Sequence, residues 1–255
     1  MYNNLFSIGP LTVHGYGAMI AIGALSAILI AAYRTKKNGI DGDLTFDTAV
    51  FGLIAGLIGA KLTFVLSNFK DFIKDPLDVL SDEGFVVIGG LIIGMAVGYL
   101  KLKKAKVKVS EYLDIIIPEI AFAQSFGRIG CFLAGCCYGA KTDSFIGVEF
   151  PMDSLAPYGI SLLPTQLFSA AGDMLIFAIL LIIGRRMHAN GTIAGAYLVL
   201  YGIGRFIIEF FRGDLRTHVG LITTNQFVCL FFVAAGVALI SYLTAKKPFG
   251  ERTLK

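Results

Sequence analysis

The stretch Ala194–Phe211, AGAYLVLYGIGRFIIEFF, reads as a membrane span carrying two charges, Arg205 and Glu209. An ionised side chain in hydrocarbon costs several kcal/mol, so such residues face a polar cavity or a partner and mark a working site. Arg205, Glu209 and Arg212 fall at i, i+4 and i+7, one stripe of a helix, where Glu209 can neutralise Arg205 and hold its fork, or accept a proton in the chemistry. A second arginine, Arg128, sits between glycines in Gly127-Arg128-Ile129-Gly130, at the end of another apolar run. Two arginines embedded in one lipid-facing chain suggest an anionic ligand, and a lipid phosphate is the most available anion there. Both guanidinium groups are expected to converge on one pocket that grips a phospholipid head. The plainer readings are a snorkelling interfacial arginine for Arg128, and for Arg205 and Glu209 an ion pair locking two helices.

The rest of the chain has the same character. Of 255 residues, 56% are hydrophobic and only 16% charged, and the mean hydropathy of +0.74 excludes an ordinary soluble domain. Runs of about 20 apolar residues give about seven spans: Leu11–Tyr33, Phe46–Leu66, Phe85–Leu100, Tyr112–Phe132, Gln166–Gly184, Thr192–Phe211 and Gln226–Leu243. The third is short and glycine-rich. The first lacks a basic lead and a clean small-residue cleavage site, so it is read as a retained span. The expected architecture is all-α: a polytopic integral membrane protein, residues 1–255 forming a single transmembrane domain.

Charge placement orients it. Fourteen Lys and Arg follow the first, third, fifth and seventh spans (Arg34 to Lys37, Lys101 to Lys108, Arg185 and Arg186, Lys246 to Lys255), against five on the other side. The positive-inside bias puts the N-terminus outside and the C-terminus in the cytoplasm. A net charge of +4 concentrated on one side reads as cytoplasmic edges facing lipid, not as nucleic-acid binding.

Glycines supply the packing. Gly52, Gly56 and Gly59 on one span and Gly90, Gly94 and Gly98 on another form small-xxx-small faces that let helices approach closely. The longest connections are Ser67–Gly84 and Tyr138–Thr165, the latter adequate for a lid or re-entrant element. Cys131, Cys136 and Cys137 cluster at a span's end and Cys229 stands alone. Cys-x4-Cys-Cys matches no common zinc spacing and no histidine lies near in sequence, so these are read as small packing residues, with no metal.

In this setting the stretch Phe126–Gly139, FGRIGCFLAGCCYG, resembles the signature of the bacterial prolipoprotein diacylglyceryl transferases. Further matches follow in order. They are His14-Gly15-Tyr16-Gly17, Gly59-Ala60-Lys61-Leu62, Gly89-Gly90-Leu91-Ile92, Asp114, Pro118 and Gln124, Pro164-Thr165-Gln166-Leu167-Phe168, Tyr201 to Arg212, and Asn225-Gln226. The resemblance covers nearly the whole chain.

It implies a multi-pass enzyme of the bacterial cell membrane. Its reaction moves a diacylglyceryl group from phosphatidylglycerol to the lipobox cysteine thiol of an exported prolipoprotein, recognised through its signal peptide. A thioether forms and glycerol 1-phosphate leaves. Arg128 and Arg205 suit the developing phosphate charge, Tyr16 could orient the head group, and Arg212, Gly139 and Gln166 complete the lipid-binding set. No metal or organic cofactor is implied, since the acceptor supplies the nucleophile. A thiol of pKa about 8.5 needs a base or a positive field.

Departures from the family pattern are concentrated at polar positions. Ile88 stands where a histidine is common, Cys131 replaces an asparagine and Cys136 a glutamate. Leu163 replaces a histidine, Phe168 and Ser169 a Tyr-Glu pair, and Gly213 the proline of a Pro-Asp pair. With that histidine gone, His14 is the candidate base, and covalent uptake by Cys136 or Cys137 is a further route. His188 and His218 lie elsewhere and are not assigned to the chemistry. The pattern also leaves open a divergent branch with a changed donor or acceptor, a lipid-binding relative without turnover, or a small-solute transporter.

Overall fold

A computed structural model of the chain describes residues 4–8, 11–82, 84–185, 189–214, 217–219 and 222–246. Arg186, His188, Arg216, Lys247, Arg252 and Lys255 lie outside the described residues. The elements run β1 (Asn4–Ile8), β2 (Leu11–His14), α1 (Gly15–Lys37), α2 (Gly42–Ser67), α3 (Phe69–Lys74), α4 (Pro76–Ser81), α5 (Val87–Lys104), α6 (Val109–Ala134), β3 (Val148–Glu149), β4 (Ser161–Leu162), α7 (Thr165–Gly184), α8 (Thr192–Glu209), β5 (His218–Val219), β6 (Ile222–Thr223) and α9 (Thr224–Lys246).

Six helices, α1, α2, α6, α7, α8 and α9, are long and apolar enough to cross a membrane among the described residues. The third expected span, Phe85–Leu100, falls on α5, which is not among these six because its 18 residues include Lys101, Lys103 and Lys104. The first span begins later than its apolar run, because Leu11–His14 pairs with β1 as an antiparallel hairpin. Its helix then runs on through Arg34, Lys36 and Lys37, cations favoured at a helix C-terminus.

The chain divides into two compact units, residues 31–112 and residues 1–30 with 113–255. In the smaller unit the two glycine faces meet. A Cβ at Gly90 would lie 2.7 Å from the Gly56 carbonyl oxygen, and one at Gly94 would lie 2.8 Å from that of Gly52. Without a hydrophobic drive between helices in lipid, such backbone contact supplies the dispersion that joins α2 to α5.

In the larger unit, α8 meets α9 the same way, with Gly195 against Gly236 and Gly202 against the Cys229 carbonyl. α1 seats on α6 at two points, Gly23 on Phe126 and Gly130 on Tyr16. Ile117, Ala121, Ile176, Leu180 and Ile193 form its buried core. The start of α8 is satisfied from another helix. The Asp114 carboxylate on α6 accepts from the Gly191 N–H at 2.7 Å and the Ile193 N–H at 3.1 Å. A charge-assisted cap of this kind places α8 against α6 as well as ending its orphan donors. The 138–165 connection is a small folded element, with β3 paired to β4 and Phe150, Ala156 and Leu162 buried together.

Gly90→Val is expected to overfill the α2–α5 contact at a cost of about 1–3 kcal/mol. The check is the thermal midpoint in detergent, which should fall for Gly90→Val and hold for Gly98→Ala, where a Cβ meets only a methyl at 3.6 Å.

Candidate active site

The site is built where α6, α7 and α8 come together. Arg128 from α6 and Arg205 from α8 line one cavity of about 220 Å³. Asp173 from α7 and Tyr201 from α8 share its wall, and Phe168, Ile176, Ile207 and Ile208 make the remainder mostly apolar. The two distant arginine stretches therefore converge on one pocket. Asp173 is 6% exposed, its Oδ2 has no hydrogen-bond partner among the described residues, and both guanidinium charges act on it.

Behind the cavity, Glu209 is completely buried. Its Oε2 faces Arg205 at 3.5 Å and Arg212 at 3.9 Å. Its Oε1 accepts from the Thr223 hydroxyl at 3.1 Å and the Asn225 amide at 3.2 Å. Thr223 is itself fixed by the start of α9. The Gln226 N–H donates to its hydroxyl while the Thr223 N–H donates to the Gln226 side chain, a reciprocal capping box. Arg212 is held by a bidentate pairing with Asp214, Nε to Oδ1 at 2.8 Å and the second nitrogen to Oδ2. Arg212 is raised above the ordinary guanidinium range: burial opposes its charge, and the Asp214 hydrogen bond and charge overcome that.

Gly139 makes its close approach to protein backbone. A Cβ there would lie 2.6 Å from the Leu163 carbonyl oxygen, and one at Gly213 would lie 2.5 Å from the Gly139 carbonyl oxygen. Gly139 bridges Arg212 in antiparallel fashion, with the Ala140 N–H donating to the Phe211 carbonyl at 2.8 Å. Its place is to set the loop that carries Arg212. Gln166 is buried and its amide donates to the Cys136 carbonyl at 2.8 Å; the Thr165 hydroxyl donates to the Cys137 carbonyl at 2.9 Å. Tyr16 packs on Gly130, two residues beyond Arg128, with 43% of its surface open. His14 is exposed at the end of β2. Tyr16, His14, Glu209, Arg212, Gly139 and Gln166 do not line the cavity itself.

The cysteine cluster is tighter than its spacing suggests. α6 ends at Ala134, Gly135 takes a φ of +75°, and Cys137 takes +58°, the left-handed region that a side chain resists. These reversals bring the three sulfurs within 4.8 Å of one another. Hydrogen bonds from the Cys131 and Cys136 thiols, with the Arg212 and Arg128 charges, hold the Cys137 thiol far below the ordinary thiol range despite burial. Its neighbours and burial push the Cys136 thiol the other way.

Asp173 escaped the sequence reading, and Tyr201, named in the matching stretch, was given no place in the site. The signal for Asp173 was present, a carboxylate inside the Gln166–Gly184 run, the same criterion that singles out Arg205. Thr223 and Asn225 carried no such signal, since their role is set by where Glu209 ends.

The sequence profile of the family described as prolipoprotein diacylglyceryl transferase matches residues 3–242. The chain belongs to that family. It is 43% identical over 235 residues, 91% of this chain and 94% of the relative, to a Clostridium tetani protein named phosphatidylglycerol–prolipoprotein diacylglyceryl transferase. A Clostridium perfringens protein of the same name, numbered 2, is 41% identical over 97% of this chain and 98% of its own length. One from Dehalococcoides mccartyi is 32% identical over 97% and 95%. The family member described here is thus a multi-pass membrane transferase.

Glu209→Ala is expected to leave two guanidinium groups without their shared counter-charge, costing about 3–5 kcal/mol. Thr223→Ala, which removes one bond to a charged group, is expected to cost about 2 kcal/mol. Thermal midpoints in detergent should fall in that order.

Proposed function

We propose that this protein transfers the diacylglyceryl group of phosphatidylglycerol to the cysteine thiol of prolipoproteins. The observation that carries the reading is the shared cavity of Arg128 and Arg205 in a chain of this family. Two guanidinium forks in a largely apolar enclosure present donors where the phosphate gains charge as the glyceryl C–O bond breaks. In a dry site those donors are worth far more than in water. Glu209 keeps the Arg205 fork in place, and Arg212, on the same carboxylate oxygen, adds its charge to the field that the leaving phosphate meets.

The acyl chains lie along the apolar wall and the surrounding membrane lipid. Tyr16 orients the head group beside Gly130. Gly139 and Gln166 act through the loops they brace, and His14 accepts the proton released by the acceptor thiol. The N-terminus faces outward and the C-terminus the cytoplasm, so that signal peptides of exported precursors meet the site on the outer side. The thiol attacks the glyceryl carbon, the thioether forms, and glycerol phosphate departs with the electron pair of the broken bond.

Complementation tests the reading: the chain is expressed in cells depleted of their own diacylglyceryl transferase, and lipidated precursor is measured. The wild type should restore lipidation. Arg128→Ala or Arg205→Ala should each lower transfer by roughly 10²–10³-fold, the loss typical of one oxyanion-stabilising donor, while inserting at normal level. Full activity of the double variant would overturn the assignment.

A further inference from the structure

Cys131 is buried and Cys136 and Cys137 are half-buried, and all three are free thiols. Their sulfurs form a compact triangle with every edge within 4.8 Å, and drawing the edges to about 3.8 Å would let all three bind one tetrahedral cation at thiolate bond lengths of about 2.3 Å. Packing alone does not account for the arrangement. Small packing residues need no left-handed backbone, yet Cys137 is held at φ +58°, a strain that persists only where the surroundings enforce it. Here they do. The carbonyls of Cys136 and Cys137 are pinned by Gln166 and Thr165, each only 1% exposed.

We propose that Cys131, Cys136 and Cys137 hold one thiophilic divalent cation of the zinc class, whose fourth position binds the thiolate of the acceptor cysteine. Soft sulfur donors select such cations. Among the described residues no histidine or carboxylate joins the group, and three protein ligands with one open position are the arrangement of catalytic rather than structural sites. Three thiolates and a dication carry a net single negative charge, and Arg128 and Arg212 supply the compensating field at Cys137.

The chemistry deepens the transferase reading, on which the docking of the acceptor rests. The acceptor thiol forms a sulfur–metal bond and gives up its proton, which passes to water or to His14. A sulfur lone pair then forms the bond to the glyceryl carbon, the carbon–oxygen bond breaks, and its electron pair leaves on the phosphate. The neutral thioether is a weak ligand and departs. This gives a thiol-activating role to positions where the family pattern places asparagine and glutamate, in a chain that has Ile88 in place of a histidine.

The test is cobalt(II) titration of the full-length protein, purified in detergent, reduced and metal-free. One cobalt per chain is expected, with thiolate-to-cobalt charge-transfer absorption and intense tetrahedral bands, reversed by added zinc. Losing a residue that merely orients a metal ligand costs roughly 10–100-fold in affinity, and Cys131→Ser or Cys137→Ser should exceed that, while Cys229→Ser should bind normally. A peptide bearing the lipobox cysteine should shift the tetrahedral bands, and its serine analogue should not.

Absence of the bands in the wild type, their survival in Cys137→Ser, or indifference to the cysteine peptide overturns the proposal. The wild-type titration decides even where a serine variant fails to fold. Bands that respond to peptide in a protein that lipidates nothing would count against the transferase reading alone. Undiminished lipidation by protein shown by elemental analysis to hold no metal would sink the cation and leave the transferase standing.

Discussion

A carboxylate fully withdrawn from solvent governs the arrangement of this protein. Glu209 is surrounded by two guanidinium groups on one oxygen and two neutral donors on the other. An ion of either sign is costly to bury alone, and the cost is offset only when attraction and hydrogen bonds are both in good order. Arg205 is fixed by this demand before any ligand arrives. Its fork is therefore ready when charge develops on a phosphate, and no reorganisation energy is spent at that moment.

The cavity takes its polarity from few groups. Arg128, Arg205 and Asp173 bring two positive charges and one carboxylate to a wall that is otherwise apolar or weakly polar. Asp173 moderates the repulsion between the arginines without cancelling both charges. The excess of one positive charge matches an anion entering from lipid. The apolar remainder of the wall comes from Phe168 and Ile176 on α7 and Ile207 and Ile208 on α8, so charged and apolar surfaces adjoin within one cavity.

Much of this was legible in the residues. The helices followed from apolar runs of membrane length, and the α2–α5 contact from glycines spaced by four, because both are local patterns with one physical meaning. Arg128 and Arg205 stood out because charge in a span has to be used. Asp173 obeys the same rule, but it lies in a run without a second charge, or glycines on both sides, to mark it. The pairing of Glu209 with Arg205 was legible, but its neutral donors were not, because Thr223 and Asn225 reach it only through the placement of α9. The closeness of the three sulfurs was not legible from spacing alone. Ligand spacing rules assume ordinary turns, whereas Gly135 and Cys137 reverse the chain twice within three residues.

The capping box at the start of α9 has a consequence for biogenesis. The hydroxyl of Thr223 that receives the Gln226 N–H is the same one that donates to Glu209, so the final helix and the arginine cradle are completed together. A nascent chain halted before that helix emerges would carry Glu209 beside Arg205 but not the two neutral donors that complete its shell. The buried carboxylate thus reaches its full set of partners only when the last helix has joined the bundle.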